Sequence, residues 1–362
     1  MRHARVLALV VAARCGAAPP GAAVRASEAD GAPAAPRRAH HPYVVVSSQR
    51  SGSLFVMDEL KSYPCVVSHS EMFLNRGGLE WDGATLRNCL KTFAAGGALP
   101  GDNSPPITAK FQVMLNQTLR QEAEAARQGY AVTTGFKWML SQRAGRHWPW
   151  FVEICRDFGV RLVFLLRRNA ARQLVSRLLN AEDKARAQAG GLRHSAHPNS
   201  ESRLDELRSR RVTFRRDQVL EQLQDMREKW DELERLRLYA LARGVPSARV
   251  VYEDVDADHS LVGNLSDFLL ADVGAQERAN CAAAFASRPP PQGHEKIHTS
   301  SLEDVIVNFK EVWHLLHNTP WRHCLAEEPH PPPDPGAVVD ASSSLYGSNS
   351  RPCWEPPGHF GD

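Results

Sequence analysis

The segment Tyr43-Val-Val-Val-Ser-Ser-Gln-Arg-Ser-Gly-Ser-Leu-Phe55 joins an apolar, β-branched run to a short polar loop. The run Tyr43–Ser47 follows a proline and is typical of a buried parallel strand. The pattern then turns helical over Leu54–Leu60, and Gly52 permits a tight turn between the two elements. We therefore predict a strand, a short loop and a helix in this order.

The loop of this unit has the features of an anion-binding site. The backbone N–H groups of Ser51, Gly52, Ser53 and Leu54 are expected to point outward at the helix N-terminus, where unpaired donors and the helix dipole favour a phosphate. Arg50 adds a cation, and Ser53 adds a hydroxyl. The G-x-x-x-x-G-K-[ST] pattern of a Walker A loop is not present, which disfavours magnesium-dependent kinase chemistry. Taken alone, such a loop is also compatible with a simple helix cap.

Strands and helices alternate along the rest of the chain, which predicts an α/β fold. Further strands are predicted at Ala131–Trp138, Val160–Leu166 and Ala248–Tyr252, with helices at Ala170–Leu179 and from about Asp217 to Ala242. Strands separated by helices form βαβ units. We therefore expect a three-layer sandwich with a central parallel sheet of about five strands, similar to the P-loop NTPase fold.

A second anion-binding pattern lies in Leu162-Val-Phe-Leu-Leu-Arg-Arg-Asn169, where a predicted strand ends. Arg168 falls at the carboxyl end of this strand, and Ser176 follows on the next helix. The carboxyl edge of a parallel sheet is where α/β proteins bind ligands, so both side chains are predicted to reach one phosphate. The alternative is a pair of arginines that only caps a buried strand.

Together, the two patterns resemble the motifs of the family of sulfotransferases that use 3′-phosphoadenosine-5′-phosphosulfate (PAPS). The loop Ser47-Ser-Gln-Arg-Ser-Gly-Ser53 is similar to the family's 5′-phosphosulfate loop, and Arg168, Asn169, Val175 and Ser176 match its 3′-phosphate motif. The resemblance covers most of the chain from 42 to 328. It extends to the segments Gly135-Phe-Lys-Trp-Met139, Val250-Val-Tyr-Glu-Asp254 and Lys296…Leu302-Glu-Asp-Val…Asn308, which look most like the bacterial, algal and carbohydrate-directed branch. Many cytosolic members carry lysine where Arg50 stands, which we interpret as a difference between subgroups.

The resemblance implies sulfuryl transfer from PAPS to an acceptor hydroxyl, with a carbohydrate or glycan as the expected acceptor. The residues that it assigns to the cosubstrate are Ser48, Gln49, Arg50, Ser51, Gly52, Ser53, Leu54, Arg168, Ser176 and, in a C-terminal loop that closes over the nucleotide, Lys296. Two other functions stay open: a non-catalytic nucleotide- or glycan-binding protein on the same fold, and a small-molecule kinase.

An in-line displacement at sulfur needs a base for the hydroxyl proton and a cation beside the leaving oxygen, without a metal ion. Arg50 is the expected cation, and Glu71 in Ser68-His-Ser-Glu-Met-Phe73 is the expected base. His69 is the rival base, because a neutral imidazole accepts a proton near pH 7. A structural role for Glu71 is the third possibility. Lys137 is expected to reach solvent, and the pair Glu253 and Asp254 is expected to hold loops at the sheet edge.

The ends of the chain differ in composition from its centre. We predict a signal or transit peptide over 1–25, a linker over 26–41, a sulfotransferase domain over 42–328 with a surface insertion at 181–211, and a disordered tail over 329–362. The leader's order of charged, apolar and small residues favours the secretory pathway, with the Golgi lumen or secretion as the destination. A plastid or mitochondrial transit peptide is the alternative, because the first 27 residues contain no acid.

The bulk composition excludes some classes of partner. The formal net charge is only +3 in 362 residues, which gives no reason to expect nucleic-acid binding. The seven cysteines show no zinc spacing, so we expect no metal site. In an oxidising lumen, we expect pairing among the last three, Cys281, Cys324 and Cys353. No segment is apolar enough to predict a transmembrane helix, and the sequence leaves the oligomeric state open.

Overall fold

The computed structural model describes residues 41–71, 83–95, 109–142, 144–190, 206, 209–286, 301–326 and 352–355. Five strands form one parallel sheet: β1 (His41–Ser47), β2 (Val66–Glu71), β3 (Thr133–Met139), β4 (Arg161–Leu166) and β5 (Ser247–Val251). Their order across the sheet is β2-β3-β1-β4-β5. The predicted α/β class and the five-stranded parallel sheet are therefore confirmed.

Helices cover both faces of this sheet. The elements that follow the strands are α1 (Ser53–Ser62), α2 (Gly83–Ala94), α3 (Ala109–Arg127), α4 (Ala144–Asp157), α5 (Ala170–Gly190), α6 (Val219–Ala242), α7 (Tyr252–Ala257), α8 (Leu261–Leu269), α9 (Ala275–Ala286), α10 (Leu302–Val305), α11 (Phe309–Leu316) and α12 (Arg322–Ala326). A 3-10 turn at Leu140–Gln142 follows β3. None of the helices among the described residues is long and apolar enough to cross a membrane.

Alternation along β1 divides the core into two layers. Val44 and Val46 pack with α2 to α6 on one face, and Tyr43 and Val45 pack with α1 and α8 on the other. The connection from β1 to β2 runs in the opposite direction across the sheet from the later connections. Parallel crossovers are right-handed, so a connection that runs in the opposite direction across the sheet must pass over the opposite face. For this reason α1, alone among the first six helices, packs on the face of Tyr43.

Four of the five strands lie where the sequence predicts them, within about two residues. The strand β2 is the one that the sequence analysis missed. Its residues Val66–Glu71 alternate between apolar and polar only briefly, and the strand forms because it pairs along β3. Local patterns are weak evidence for so short an element.

Two predictions about domain boundaries are wrong in part. The first ten residues of the expected surface insertion at 181–211 continue α5, and Arg210 is buried in a salt bridge with Asp183 (2.5 Å). In the tail that we predicted to be disordered, Cys353 and Trp354 are buried. The leader, the linker up to residue 40 and Lys296 lie outside the described residues.

Two disulfides cross-link the described chain. Cys324 pairs with Cys353, as expected for the last three cysteines, whereas Cys281 pairs with Cys65, which lies 216 residues earlier in the sequence. The sequence analysis did not consider this second pairing, because connectivity depends on which segments the fold brings together.

Candidate active site

The loop between β1 and α1 is held in an unusual backbone conformation. Arg50 has φ 62° and Gly52 has φ 80°, so two residues of this loop are left-handed. A positive φ is uncommon for a residue other than glycine, and it persists only where neighbours enforce it. Arg167 at the end of β4 donates from Nη1 to the carbonyl oxygen of Arg50 (2.8 Å). The side-chain amide of Gln173 donates to Ser48 Oγ (2.9 Å) and to the carbonyl oxygen of Gln49 (2.7 Å).

Gly52 is required by a close approach as well as by its backbone angle. A Cβ atom at this position would lie 2.0 Å from Cδ2 of Tyr252, which follows β5. The same ring stacks beneath the guanidinium of Arg167, whose Cζ lies 4.9 Å from the ring centroid. The ends of β1, β4 and β5 therefore pack against one another around this loop.

The two predicted anion-binding motifs meet in one place. Arg50 Nε donates to Ser176 Oγ of α5 at 2.9 Å, across 126 residues of sequence. Burial, and then the positive charge of Arg167, lower the pKa of the Arg50 guanidinium from its ordinary value. Asp183 and Glu253 offset part of the charge of these two arginines, and an anion that binds beside both guanidinium groups would be attracted to them.

Arg168 follows the carboxyl end of β4, and its side chain is turned into the protein. Its side chain is only 4% exposed, and Nη2 forms a salt bridge with Asp254. The sequence predicted that Arg168 and Ser176 reach one phosphate; in the structure, the Ser176 hydroxyl accepts from Arg50, and Arg168 is bound to Asp254. The residue that the sequence analysis overlooked is Arg167, whose side chain is 15% exposed. Its position at the carboxyl end of a predicted strand was the available signal.

The carboxylates after β5 are structural, as we expected. Glu253 accepts hydrogen bonds from the backbone N–H groups of Arg168 (2.8 Å) and Asn169 (3.1 Å), and it lies 3.7 Å from Nε of Arg167. Asp254 neutralises the buried Arg168. Together, they fix the start of α5 and the direction in which each arginine points.

Glu71 lies at the same edge of the sheet as the loop. Lys137 Nζ lies 2.9 Å from Glu71 Oε1, and Gln142 Nε2 donates to Glu71 Oε2 at 3.2 Å. Lys137 was expected to reach solvent, but its side chain is 3% exposed. Ser141 precedes Gln142 in the 3-10 turn, and its hydroxyl accepts a hydrogen bond from Gln49 Nε2 (3.1 Å). The Glu71 carboxylate is therefore connected to the loop through one short turn.

A β-bulge separates the two candidate bases. His69 pairs with Phe136 and Glu71 with Lys137, so the register shifts by one residue between them. Strict alternation would place both side chains on one face, whereas the extra residue turns Glu71 to the face of α1.

His69 instead faces α3. It shares a hydrogen bond with Thr118 Oγ1 (2.8 Å), and burial, followed by the positive charge of Lys61, lowers its pKa to about 4. The imidazole is therefore neutral near pH 7, but the sheet stands between it and the face of Glu71.

Ser51 and Ser53 of the predicted loop lie at the start of α1. Ser51 is buried, and its hydroxyl has no hydrogen-bond partner among the described residues. Ser53 is also buried, and it begins α1 directly after the left-handed Gly52. A buried unpaired hydroxyl beside the first N–H groups of a helix fits a phosphate or sulfate oxygen. In the described ranges, no group of three or more His, Cys, Asp or Glu residues is arranged to hold a metal ion.

Comparisons with known proteins give likenesses of fold. No protein-family model matches the chain, and no curated protein matches it. The chain is similar to the sulfotransferase domain of the olefin synthase from Synechococcus PCC 7002, with 18% identity, coverage of 71% of this chain and 91% of that domain, and a TM-score of 0.32. It is also similar to sulfotransferase STF9 from Mycobacterium avium, with 11% identity, coverage of 77% and 76%, and a TM-score of 0.33. At these values, the likenesses assign neither an activity nor a substrate to this chain.

Proposed function

We propose that this protein is a sulfotransferase that moves a sulfuryl group from PAPS to an acceptor hydroxyl. The observation that carries the proposal is the hydrogen bond between Arg50 and Ser176, because it unites the 5′-phosphosulfate loop and the 3′-phosphate motif of the sequence in one site. A nucleotide with phosphate groups on both the 3′ and the 5′ oxygen of its ribose fits two such motifs at one edge of a parallel sheet.

The loop would bind the phosphosulfate end of this substrate. The N–H groups at the start of α1 and the Ser51 hydroxyl offer donors, and Arg50 offers a fixed cation. In the transfer step, a bond forms between the acceptor oxygen and sulfur while the bond from sulfur to the bridging phosphate oxygen breaks. The negative charge that grows on 3′,5′-ADP is stabilised by Arg50, with Arg167 behind it.

Glu71 would accept the proton of the acceptor hydroxyl. Lys137 and Gln142 each hold one of its carboxylate oxygens, so the group has a fixed position at the edge of the sheet. A base that is held before the substrate arrives lowers the barrier because it needs no reorganisation. The bulge in β2 is what directs this carboxylate, and not His69, toward the face that carries the loop.

A glycan acceptor and a secretory location complete the proposal. The motifs resemble the carbohydrate-directed branch most closely, and the leader resembles a secretory signal. The disulfides Cys65–Cys281 and Cys324–Cys353 support an oxidising compartment, because such bonds rarely persist in the cytosol.

Thermal stabilisation by 3′,5′-ADP tests the cosubstrate site, with 5′-AMP and ATP–Mg²⁺ as comparison ligands. At 100 times its dissociation constant, a ligand adds about 2.7 kcal/mol, which raises the melting midpoint by about 5–10 °C for a domain of this size. We expect this shift for the wild type and its loss in Arg50→Ala and Ser176→Ala. The exposed Arg278 on α9 is the matched control, and Arg278→Ala should keep the full shift.

Turnover with PAPS and a panel of sugars then tests the activity. Sulfated product with 3′,5′-ADP release would support the proposal. A larger thermal shift with ATP–Mg²⁺ would favour a kinase. Binding of 3′,5′-ADP together with failure to transfer sulfate to sugars, phenols or tyrosine peptides would favour the non-catalytic alternative.

A further inference from the structure

A short C-terminal segment is fastened against the start of α5. Cys353 is bonded to Cys324 of α12, and both residues are buried. Trp354 packs against Trp321 and Trp230, with ring centroids 5.3 Å and 5.7 Å away. We call Cys324, Cys353 and Trp354 together the C-terminal clasp.

Three hydrogen bonds join the clasp to the turn between β4 and α5. The N–H of Cys353 donates to the carbonyl oxygen of Arg168 (3.2 Å), and the N–H of Ala170 donates to Cys353 Sγ (3.4 Å). Asn169 Nδ2 donates to the carbonyl oxygen of Cys324 (3.1 Å). Each of the three consecutive residues of this turn is therefore held by one of the two bridged cysteines.

The held turn connects the two halves of the proposed nucleotide site. Arg167, which fixes the left-handed Arg50, precedes the turn directly, and Ser176 lies on α5, about 9 Å of helix rise beyond Ala170. On the opposite side, Glu253 binds two N–H groups of the same turn. The turn is thus held between Glu253 of α7 and the clasp, and a shift of the turn would move Arg167 and Ser176 together.

We propose that the C-terminal clasp positions the nucleotide-binding residues of the β4–α5 turn, so that Cys324 and Cys353 are positioning residues for cosubstrate binding. This inference rests on the proposed function. Losing the disulfide would loosen the turn and weaken the affinity for 3′,5′-ADP. An effect of about tenfold corresponds to about 1.4 kcal/mol, the scale of one hydrogen bond to a charged group.

The second disulfide provides a matched control. Cys65 immediately precedes β2, so Cys65–Cys281 lies at the amino-terminal edge of the sheet, opposite the proposed site. The carbonyl oxygen of Cys65 accepts from the N–H of Thr133, the first residue of β3. Removing this bridge should lower stability through the same chemistry without touching the β4–α5 turn.

The experiment measures the dissociation constant of 3′,5′-ADP by calorimetry for Cys324→Ala/Cys353→Ala and for Cys65→Ala/Cys281→Ala, at a temperature where each variant is folded. We expect about tenfold weaker binding in the first variant and a change of less than twofold in the second, although both melt earlier. Equal losses in both variants, or wild-type affinity in the first, would overturn the inference. If the wild type itself does not bind 3′,5′-ADP, the proposed function has failed instead.

Asn169→Ser covers the case in which the disulfide variant does not fold. Asn169 caps α5, since its Oδ1 accepts from the N–H of Arg172 (2.9 Å), and serine caps helices about as well. The substitution therefore keeps the helix start, and the shorter side chain withdraws the donor from the carbonyl oxygen of Cys324. We expect severalfold weaker binding of 3′,5′-ADP at nearly unchanged stability, and unchanged binding would contradict a positioning role.

Discussion

Replacing Arg168 by methionine should lower the free energy of unfolding of this protein and leave its proposed nucleotide site intact. Arg168 and Asp254 are 4% and 8% exposed, and each neutralises the other inside the protein. Methionine keeps most of the arginine stem, so the substitution chiefly removes the charge. It leaves Asp254 buried beside an apolar group.

The expected loss follows from the Asp254 carboxylate, which keeps the nearby charge of Arg249 but loses its salt-bridge partner. Breaking a buried ion pair by removing one partner costs about 3–5 kcal/mol, because the remaining charge has lost both water and its counter-ion. At about 2–4 °C per kcal/mol for a domain of this size, the melting midpoint should fall by about 6–20 °C. Removing both charges in Arg168→Met/Asp254→Asn should recover more than half of this loss.

Urea unfolding and 3′,5′-ADP titration together form the assay, with Arg167→Met as the comparison variant. Arg167 is more exposed, and it contacts the loop through the carbonyl oxygen of Arg50. We expect the opposite pattern for it: a stability loss of about 1 kcal/mol and an affinity for 3′,5′-ADP lowered by about tenfold or more.

The reasoning is refuted by the reverse result. If Arg168→Met unfolds at the wild-type urea concentration and loses 3′,5′-ADP binding while Arg167→Met keeps it, Arg168 binds the ligand as the sequence motif implies. The buried salt bridge with Asp254 would then not describe the functional state of the protein.

Three further predictions follow from the site. Glu71→Gln should lower turnover with PAPS by about 10²–10⁴ while 3′,5′-ADP binding stays within about twofold, and wild-type turnover would remove Glu71 as the base. Gly52→Ala should lower the free energy of unfolding in urea by at least about 1–3 kcal/mol and abolish 3′,5′-ADP binding. The new Cβ would collide with the Tyr252 ring, and alanine is strained at the positive φ of this position. Wild-type stability would contradict the loop geometry. The pKa of His69 is lowered to about 4, so the folded state binds fewer protons than the unfolded state between about pH 4 and 6.5. The free energy of unfolding should therefore fall by about 3 kcal/mol as the pH drops through this window. The variant His69→Gln should show a flatter pH dependence.

The sequence by itself determined the fold class and the location of the loop. Buried parallel strands such as β1 and β4 are continuous apolar runs, and the polar loop after β1 stands out between a strand and a helix. These signals are local, so they can be interpreted without knowledge of what packs against them. The strand β2 lacks such a run and depends on pairing with β3, which is why it was missed.

Tertiary structure decided which side chains face the site. Two adjacent arginines follow β4. Asp254, 86 residues away, pairs with Arg168 and turns it inward, whereas Arg167 contacts Glu253 and the loop. Likewise, one inserted residue in β2 sends His69 and Glu71 to opposite faces. In both cases, the direction of a side chain depends on a partner from another element, and no local pattern contains that partner.

The C-terminal segment also shows what a local sequence pattern does not predict. Its composition predicts disorder, yet a disulfide and two tryptophan contacts hold Cys353 and Trp354 in the core. Composition reports how much apolar area a segment can bury on its own, whereas burial here depends on a cross-link and on surfaces that distant helices supply. The sequence therefore determined the chemistry available to this protein, and the packing of distant segments decided where that chemistry is placed.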